Sequence, residues 1–547
     1  MSDADFYGCD VTQPIEIIAA VVDLPNALVK EHSHGKNLSG IRQDGSWVHD
    51  ALDDDDVEAC LIVRLRVDQT LEPVWNVIRP GEDEGTSISA AERARIGFFR
   101  IGDYADAHLK WSRTSALAAL TESKSDASYA VVEAQRQARQ AVAELADTPL
   151  HDAARMVQQN SLLLGAAPFT DLRPGLDPSL TGSTGSLVLH EGSIPLTSYG
   201  LGTRRLTSLA IQEYSNSDHS ILAVDELEYG LEPHRLIHLL RFLRSKTESM
   251  AMQVFMTTHS PVVVSSLGTS EIQVVRSSGG ATTAVDVPAT LHEDATDVAQ
   301  GLVRALPSSL LARRVVVGEG ATEVGFIRYL MNAWDSEADD PLALTAVTLG
   351  CAVANGSGDA HAPIRARALQ ELGYPCFLMV DGDVVTNADA IAQARQAGVD
   401  VLRWPDESSL EDVVVHALDW SDVQALVDLA LEDVSADAIR AKVGAHLGRP
   451  PLTSTDVEEW AKEFGQEEVR LSIAKAAKGQ KVKEGSKSEG SAWFKREDRG
   501  ERLGKLVYNS MSRIQADTAL VSGLERLKAF ATAPDAVVRE SDANESA

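Results

Sequence analysis

Two apolar runs in the second half of the chain end in acids. Val315-Val316-Val317-Gly318-Glu319-Gly320-Ala321-Thr322-Glu323 reads as a buried strand, a glycine turn and the start of a helix. Glu319 closes the strand and Glu323 lies one helical turn along, so both carboxylates can serve one site. Phe377-Leu378-Met379-Val380-Asp381-Gly382-Asp383 is a second strand, and its two acids alternate onto the same side. Four carboxylates at strand ends of one sheet are hard oxygen donors, suited to Mg²⁺ or Mn²⁺ and not to zinc. The bland alternative is that acids are simply frequent at such ends.

A different chemistry is written upstream. Ile221-Leu-Ala-Val-Asp225-Glu226-Leu-Glu228 is an apolar strand ending in consecutive acids, one to hold Mg²⁺ and the next to polarise an attacking water. Val254 to Thr257 forms another apolar strand, ending at Thr258-His259-Ser260-Pro261. His259 is placed either to meet a γ-phosphate or to be a satisfied loop histidine. Ser198-Tyr199-Gly200-Leu201-Gly202-Thr203 precedes a helix at Arg205 to Glu213, which turns backbone N–H groups toward a phosphate. No Gly-x-x-x-x-Gly-Lys-Ser/Thr run occurs in this sequence. The nearest imitation is Gly35-Lys36-Asn37, but Lys30 stands in the place of the first glycine and no Ser or Thr follows the lysine.

The elements that must position these groups follow two patterns. Ile15 to Val22, Ala59 to Val67, Val74 to Ile78 and Ile96 to Ile101 are β-rich runs and predict a sheet subdomain. From about 105 to 165 the composition turns to Ala, Gln, Arg, Glu and Leu, predicting a helical insertion in which Pro149 starts a new helix. Leu187 to Leu189 and Ile194 to Leu196 flank Glu191-Gly192 as a hairpin. Past Arg313, apolar runs at Val315 to Val317, Ala343 to Leu349, Cys376 to Val380 and Val399 to Leu402 alternate with helices at Thr322 to Asn332 and Ile364 to Leu372. Alternating βαβ units predict a parallel sheet with its functional groups at the carboxyl ends of strands.

With 547 residues the chain is too long for one core, and 44% apolar with 24% charged residues is the make-up of an ordinary globular protein. No charge-free apolar run is long enough to span a membrane, and the polar amino terminus is unlike a signal peptide, so a cytoplasmic protein is expected. Cys9, Cys60, Cys351 and Cys376 form no zinc spacing and read as reduced, mostly buried residues. A formal charge of -31 argues against non-specific coating of nucleic acid, so any DNA contact must be local. The densest basic stretch runs from Lys475 to Lys505 and includes Lys478, Lys481, Lys483, Lys487 and Lys495; a solvated lysine-rich loop explains it equally well.

In this order the glycine segment, the Asp-Glu strand and the histidine strand resemble the signature loop, Walker B with D-loop, and switch histidine of ABC-type ATPases of the SMC, RecF and OLD group. The Glu319/Glu323 and Asp381/Asp383 pairs resemble the Toprim domain. The combination is similar to the OLD (overcoming lysogenization defect) family of ATP-dependent endonucleases, over about residues 5 to 510. The resemblance implies that Asp225 binds Mg²⁺, that Glu226 is the catalytic base and His259 the switch, and that Ser198, Gly200 and Gly202 contact ATP, in a partner's site across a dimer interface. It adds to the Toprim acids a further one, Glu411 in Ser408-Ser409-Leu410-Glu411-Asp412 with Asp412 in reserve. Lys495 in Ala492-Trp493-Phe494-Lys495 would stabilise charge on a scissile phosphate. Gly318, where the family has an apolar residue, is expected to loosen the strand end.

The implied fold is α/β, with an ABC-type ATPase domain over 1–300 carrying the insertion at about 105–165, and a Rossmann-like Toprim core over 311–425. A helical part over 426–530 completes the nuclease domain, and 531–547 form a disordered tail. In the family the P-loop precedes a stretch like Asp5-Phe6-Tyr7-Gly8 and Pro14-Ile15-Glu16-Ile17, so this sequence is expected to start just after it. Implied partners are DNA, a second copy of the chain in a dimer or tetramer, and a helicase-like protein. Implied cofactors are Mg²⁺ or Mn²⁺, with ATP in question without a P-loop. The expected activity is DNA endonuclease in phage defence or repair; the competing expectation is an ATPase-defective DNA-binding or scaffold subunit with no nuclease activity.

Overall fold

The computed structural model describes residues 2–30, 33–49, 56–82, 84–101, 109–110, 117, 149–163, 169, 171–176, 187–215, 220–249, 252–278, 281–287, 301, 303–304, 306–337, 345–383, 387–479 and 492–533. The chain divides into two compact units, Met1–Val263 and Val264–Ala547. Among the described residues no helix is long and apolar enough to cross a membrane.

The first unit opens with an antiparallel sheet of β1 (Ile15–Val21), β2 (Ser39–Arg42), β3 (Trp47–Val48), β4 (Val57–Val67), β5 (Pro73–Ile78) and β6 (Thr86–Ser87), in the order β3-β2-β4-β5-β6 with β1 also on β4. Strand β4 organises it. Leu61 and Val63 enter one apolar cluster with Leu28, Val77 and Ile88, while Cys60 and Ile62 enter another with Ile78, the period-two alternation of a strand. The run around Ile96 does not join this sheet, as its β content suggested. It forms β7 (Phe98–Ile101), which pairs in parallel with a strand far along the chain.

Of the expected helical insertion, α1 (Pro149–Leu163) is described and begins at Pro149; the rest of 105–165 lies outside the described residues, apart from 109–110 and 117. Strands β8 (Leu172–Leu176), β9 (Leu187–Glu191) and β10 (Ile194–Pro195) form a small sheet, with Gly192 at φ 58° in the hairpin turn. Helix α2 (Leu201–Ser215) leads to β11 (Ser220–Val224), α3 (Pro233–Glu248) and β12 (Met252–Met256), giving the parallel sheet β12-β11-β7. Leu236, Leu239, Leu240 and Leu243 form the buried stripe of α3.

In the second unit β13 (Gln273–Ser278) pairs with β14 (Ala281–Asp286). A four-stranded parallel sheet follows, of β15 (Arg314–Gly318), β16 (Cys351–Asn355), β17 (Cys376–Val380) and β18 (Asp400–Arg403), in the order β16-β15-β17-β18. Every residue of β15 and β17 is buried. Val315, Val317, Leu378 and Val380 face a core shared with α5 (Ala362–Glu371) and α6 (Ala388–Gln396). Val316, Phe377 and Met379 face the opposite core, built by α4 (Ala321–Ser336), α7 (Leu410–Ala417), α8 (Trp420–Leu431), α9 (Ala436–His446), α10 (Val457–Phe464), α11 (Gln466–Lys478), α12 (Glu497–Ser510) and α13 (Ala519–Thr532). The sheet is thus covered on both faces, as parallel sheets are.

One strand expected here is not a strand. Residues 345–350 form a turn, and the strand is displaced to Cys351–Asn355. Thr345 and Thr348 bond each other's backbone N–H groups, and the Asp335 carboxylate accepts from Ala346 and Val347 N–H, so the local amides are already used. The four cysteines are free; Cys60 and Cys376 are buried, Cys351 is partly so, and Cys9 is exposed. Residues 534–547 of the expected tail lie outside the described residues.

Candidate functional site

Strands β15 and β17 are parallel neighbours, with Gly318 opposite Met379, so Glu319 and Asp381 leave the sheet side by side. The Asp381 N–H donates to Glu319 Oε2 at 2.9 Å, and the Glu319 N–H donates to the Met379 carbonyl at 3.0 Å. Gly318 does not loosen the strand end; it is what allows the close turn. A Cβ there would lie 2.9 Å from Glu323 Cβ and 3.1 Å from Val324 N, so only glycine lets α4 begin directly on the sheet. Glu323 then folds back to accept from the Gly320 N–H at 2.7 Å, which returns its carboxyl to the strand ends.

Gly382 has the same function between the two aspartates. A Cβ on it would stand 2.0 Å from the Pro405 carbonyl oxygen, so its absence admits the loop after β18. The Gly382 N–H donates to the Ser408 carbonyl at 2.8 Å, and the Leu410 N–H donates to Asp381 Oδ1 at 2.9 Å. That docks the start of α7 on the acids. Ser409 and Asp412 cap the helix reciprocally, with the Ser409 N–H on Asp412 Oδ2 at 2.9 Å, which turns Glu411 inward. Glu323 and Glu411 are each only 6% exposed. The structure therefore places Glu411 with the acids and gives Asp412 a capping task.

This crowd of carboxyls resists ionisation. Burial, and then Glu411, push Glu323 up to about 7; burial, and then Glu323, Glu411, Glu319 and Asp383, push Asp381 up to about 9. Glu411 is raised by burial with Asp412 adding to it, and Glu319 by burial with Asp359 and Asp383 adding. Lys495 pulls both Glu319 and Glu411 the other way. Among the described residues no three His, Cys, Asp or Glu side chains converge in the geometry of a ready-made metal cage. The carboxylates instead rest on backbone N–H groups and on a lysine. Their donor chemistry still fits a divalent hard cation, whose charge would offset the crowding that burial imposes.

An acid with a raised folded pKa keeps a proton that the unfolded chain has lost, here between about 4 and about 7 for Glu323 and between about 4 and about 9 for Asp381. Stability must fall as pH rises through those windows. In EDTA, urea unfolding is expected to show a loss on the order of 2–4 kcal/mol from pH 6 to pH 9. A flat or rising profile would contradict this.

Lys495 arrives on a tightly fitted crossing. Trp493 and Phe494 are buried, Thr322 Oγ1 donates to the Phe494 carbonyl at 2.9 Å, and Lys495 itself is exposed. Helix α12 then lies on α4 through glycines: a Cβ on Gly325 would be 1.9 Å from the Glu497 carbonyl oxygen, and one on Gly500 2.2 Å from that of Thr322. Gly325→Ala is expected to lose roughly 1–3 kcal/mol by forcing the helices apart. Urea unfolding measures it, and an unchanged midpoint would refute the close crossing.

Two residues at the site were not singled out by sequence. Lys478, read only as part of a basic stretch, ends α11 with Nζ 2.7 Å from Asp383 Oδ2 and 3.3 Å from Asp412 Oδ2. Asp359 lies on the loop whose Gly358 N–H donates to the Glu319 carbonyl at 2.7 Å. Lys481, Lys483 and Lys487 of the basic stretch lie outside the described residues.

The nucleotide motifs also converge, within the first unit. Asp225 follows β11, and Thr257 at the end of β12 donates its hydroxyl to Asp225 Oδ1 at 2.6 Å while accepting from the Glu226 N–H at 2.9 Å. The Thr257 hydroxyl, with Arg100 at 3.4 Å, holds the Asp225 carboxyl below the usual range. Glu226 takes a left-handed φ of 46°, rare for a side chain of its kind. Glu228 ties the turn to the histidine loop, accepting from the His259 N–H and the Thr258 hydroxyl, each at 2.6 Å. Ser198 ends a short turn before α2. Gly202 in α2 backs onto the Gly230 carbonyl, where a Cβ would stand at 2.2 Å, and Arg205 donates to the backbone carbonyls of Asp225 and Tyr229. Gly200, just ahead of α2, has open space where a side chain would be.

Comparison with known proteins agrees with both halves. A family model described as "AAA domain, putative AbiEii toxin, Type IV TA system" matches residues 73–265, and the TOPRIM-domain model of overcoming lysogenization defect protein-like proteins matches residues 310–383. The chain joins an AAA-type ATPase domain to an OLD-like TOPRIM domain. That pairing is consistent with an OLD-family ATPase–Toprim fusion. Among solved structures, the Smc head domain with an extended coiled coil bound to the C-terminal domain of ScpA, from Pyrococcus furiosus, matches at 13% identity, covering 43% of this chain and 72% of its own. Its TM-score of 0.25 is too low to assign fold or function. No curated protein matches the chain in sequence.

Proposed function

We propose that this protein is a divalent-cation-dependent DNA endonuclease of the OLD type, regulated by its ATPase module and acting in phage defence or DNA repair. The observation that carries the reading is the meeting of Glu319, Glu323, Asp381 and Glu411 at the carboxyl end of one parallel sheet, with exposed Lys495 beside them. These acids, with Asp383, would hold Mg²⁺ or Mn²⁺, which supplies the Lewis acidity that activates water and offsets charge on the leaving oxygen. Glu319 and Asp381 are braced by backbone N–H groups, so they are oriented before any substrate arrives. Lys495 has the exposure and charge to orient a backbone phosphate and to stabilise its added charge.

The ATPase motifs support the regulatory half of the reading. Asp225 would hold the nucleotide's Mg²⁺, Glu226 would act as base and His259 as switch, while Ser198, Gly200 and Gly202 would face ATP bound by a second copy. Those groups are what the described residues would contribute to ATP binding. Incubating the protein with supercoiled plasmid in Mg²⁺, Mn²⁺ or EDTA tests the nuclease. Nicked or linear product with either cation and none in EDTA is expected. No cleavage with any divalent cation, alongside retained DNA binding, would favour the scaffold subunit.

A further inference from the structure

Lys478 is the last residue of α11, and Gly479 closes that helix in the left-handed conformation at φ 75°. The lysine has three donor positions, and three acceptors surround its Nζ: Asp383 Oδ2 at 2.7 Å, Asp412 Oδ2 at 3.3 Å and the Glu407 carbonyl at 3.4 Å. Lys478 and Asp383 side chains are each 23% exposed. Its helix is anchored by buried Ala474, Ala476 and Ala477, so the ammonium is delivered by a rigid element and not by a loose surface chain. With every donor engaged by protein, Lys478 has none left for a phosphate. Lys495, by contrast, holds no ion pair among the described residues and is exposed.

The two lysines therefore divide the work. From these contacts we infer that Lys478 is a positioning residue that holds Asp383 Oδ2 in competition with the divalent cation, so that Asp383 offers the cation its full carboxylate only by giving up its lysine. This rests on the cation-binding reading of the acids given above. The competition raises the concentration of cation needed to complete the site, and it stabilises Asp383 while no cation is bound. A lysine with a merely structural role would predict the reverse on removal, a weaker site.

The test is a titration of the full chain with Mn²⁺, following free Mn²⁺ by electron paramagnetic resonance, for the parent, Lys478→Met, Lys478→Arg and Asp381→Asn, with melting temperatures in EDTA. Lys478→Met is expected to bind Mn²⁺ about tenfold more tightly and to melt lower than the parent in EDTA; Lys478→Arg is expected to keep the parent affinity. Should Lys478→Met fail to fold, Lys478→Gln keeps a donor for the Glu407 carbonyl, removes the charge and carries the same expectation. Parent-like or weaker Mn²⁺ binding in a folded charge-removing variant overturns the inference. Asp381→Asn separates the two readings. If it leaves Mn²⁺ binding unchanged, the cation-site reading itself fails; if it removes binding while Lys478→Met gains nothing, only the assignment to Lys478 fails.

Discussion

Asp381→Asn is expected to lower cation-dependent cleavage at least about a hundredfold while leaving the fold as stable as the parent or more so. The two effects have one cause. In the cation-free protein, burial and four neighbouring acids push Asp381 up to about 9, so a neutral amide of the same shape removes a charge that the site resists. The Leu410 N–H keeps an oxygen to donate to. What is lost is the ability to become a carboxylate when a cation is present. Plasmid cleavage and urea unfolding of the same preparation check this. Full activity, or a folded state destabilised by several kcal/mol, would count against it.

Lys495→Ala is expected to reduce the rate of cleavage by roughly 10²–10³ while leaving Mn²⁺ affinity and stability near parent values, the loss typical of removing one preorganised stabiliser of developing charge. Its side chain is exposed, while the preceding Trp493 and Phe494 secure the segment in the core. Truncation beyond Cβ therefore removes charge without removing packing. A single-turnover assay at saturating Mn²⁺ measures the effect. An unchanged rate would make Lys495 an ordinary surface cation.

Much of this arrangement is readable from the chain because it depends on local order. Cys376 to Val380 is a strand at its expected limits, and Glu319 and Glu323 are one helical turn apart as their spacing requires. Both pairs of acids lie at strand ends because a βαβ pattern places them there. What local order does not show is set by distant partners. Nothing near Lys478 signals its pairing, since Asp412 is 66 residues away and Asp383 further still. Gly318 is uninformative until α4 is seen resting on it, after which it is a requirement of the site. The glycines where α4 and α12 cross are equally silent until Gly325 and Gly500 are found on the facing backbones. Over 345–349 the expected strand failed for the opposite reason: its apolar residues are real, but Asp335 and two threonines claim the backbone N–H groups a sheet would need. The pairing of β7 with β11, across more than a hundred residues, is likewise a tertiary fact.

The most direct test of the central claim is a crystal structure of the protein soaked in Mn²⁺, with an anomalous difference map. A peak is expected among the carboxyl groups of Glu319, Glu323, Asp381 and Glu411, lost in Asp381→Asn. A map with no peak there at saturating Mn²⁺, or a peak held by other residues and unchanged in the variant, would contradict it.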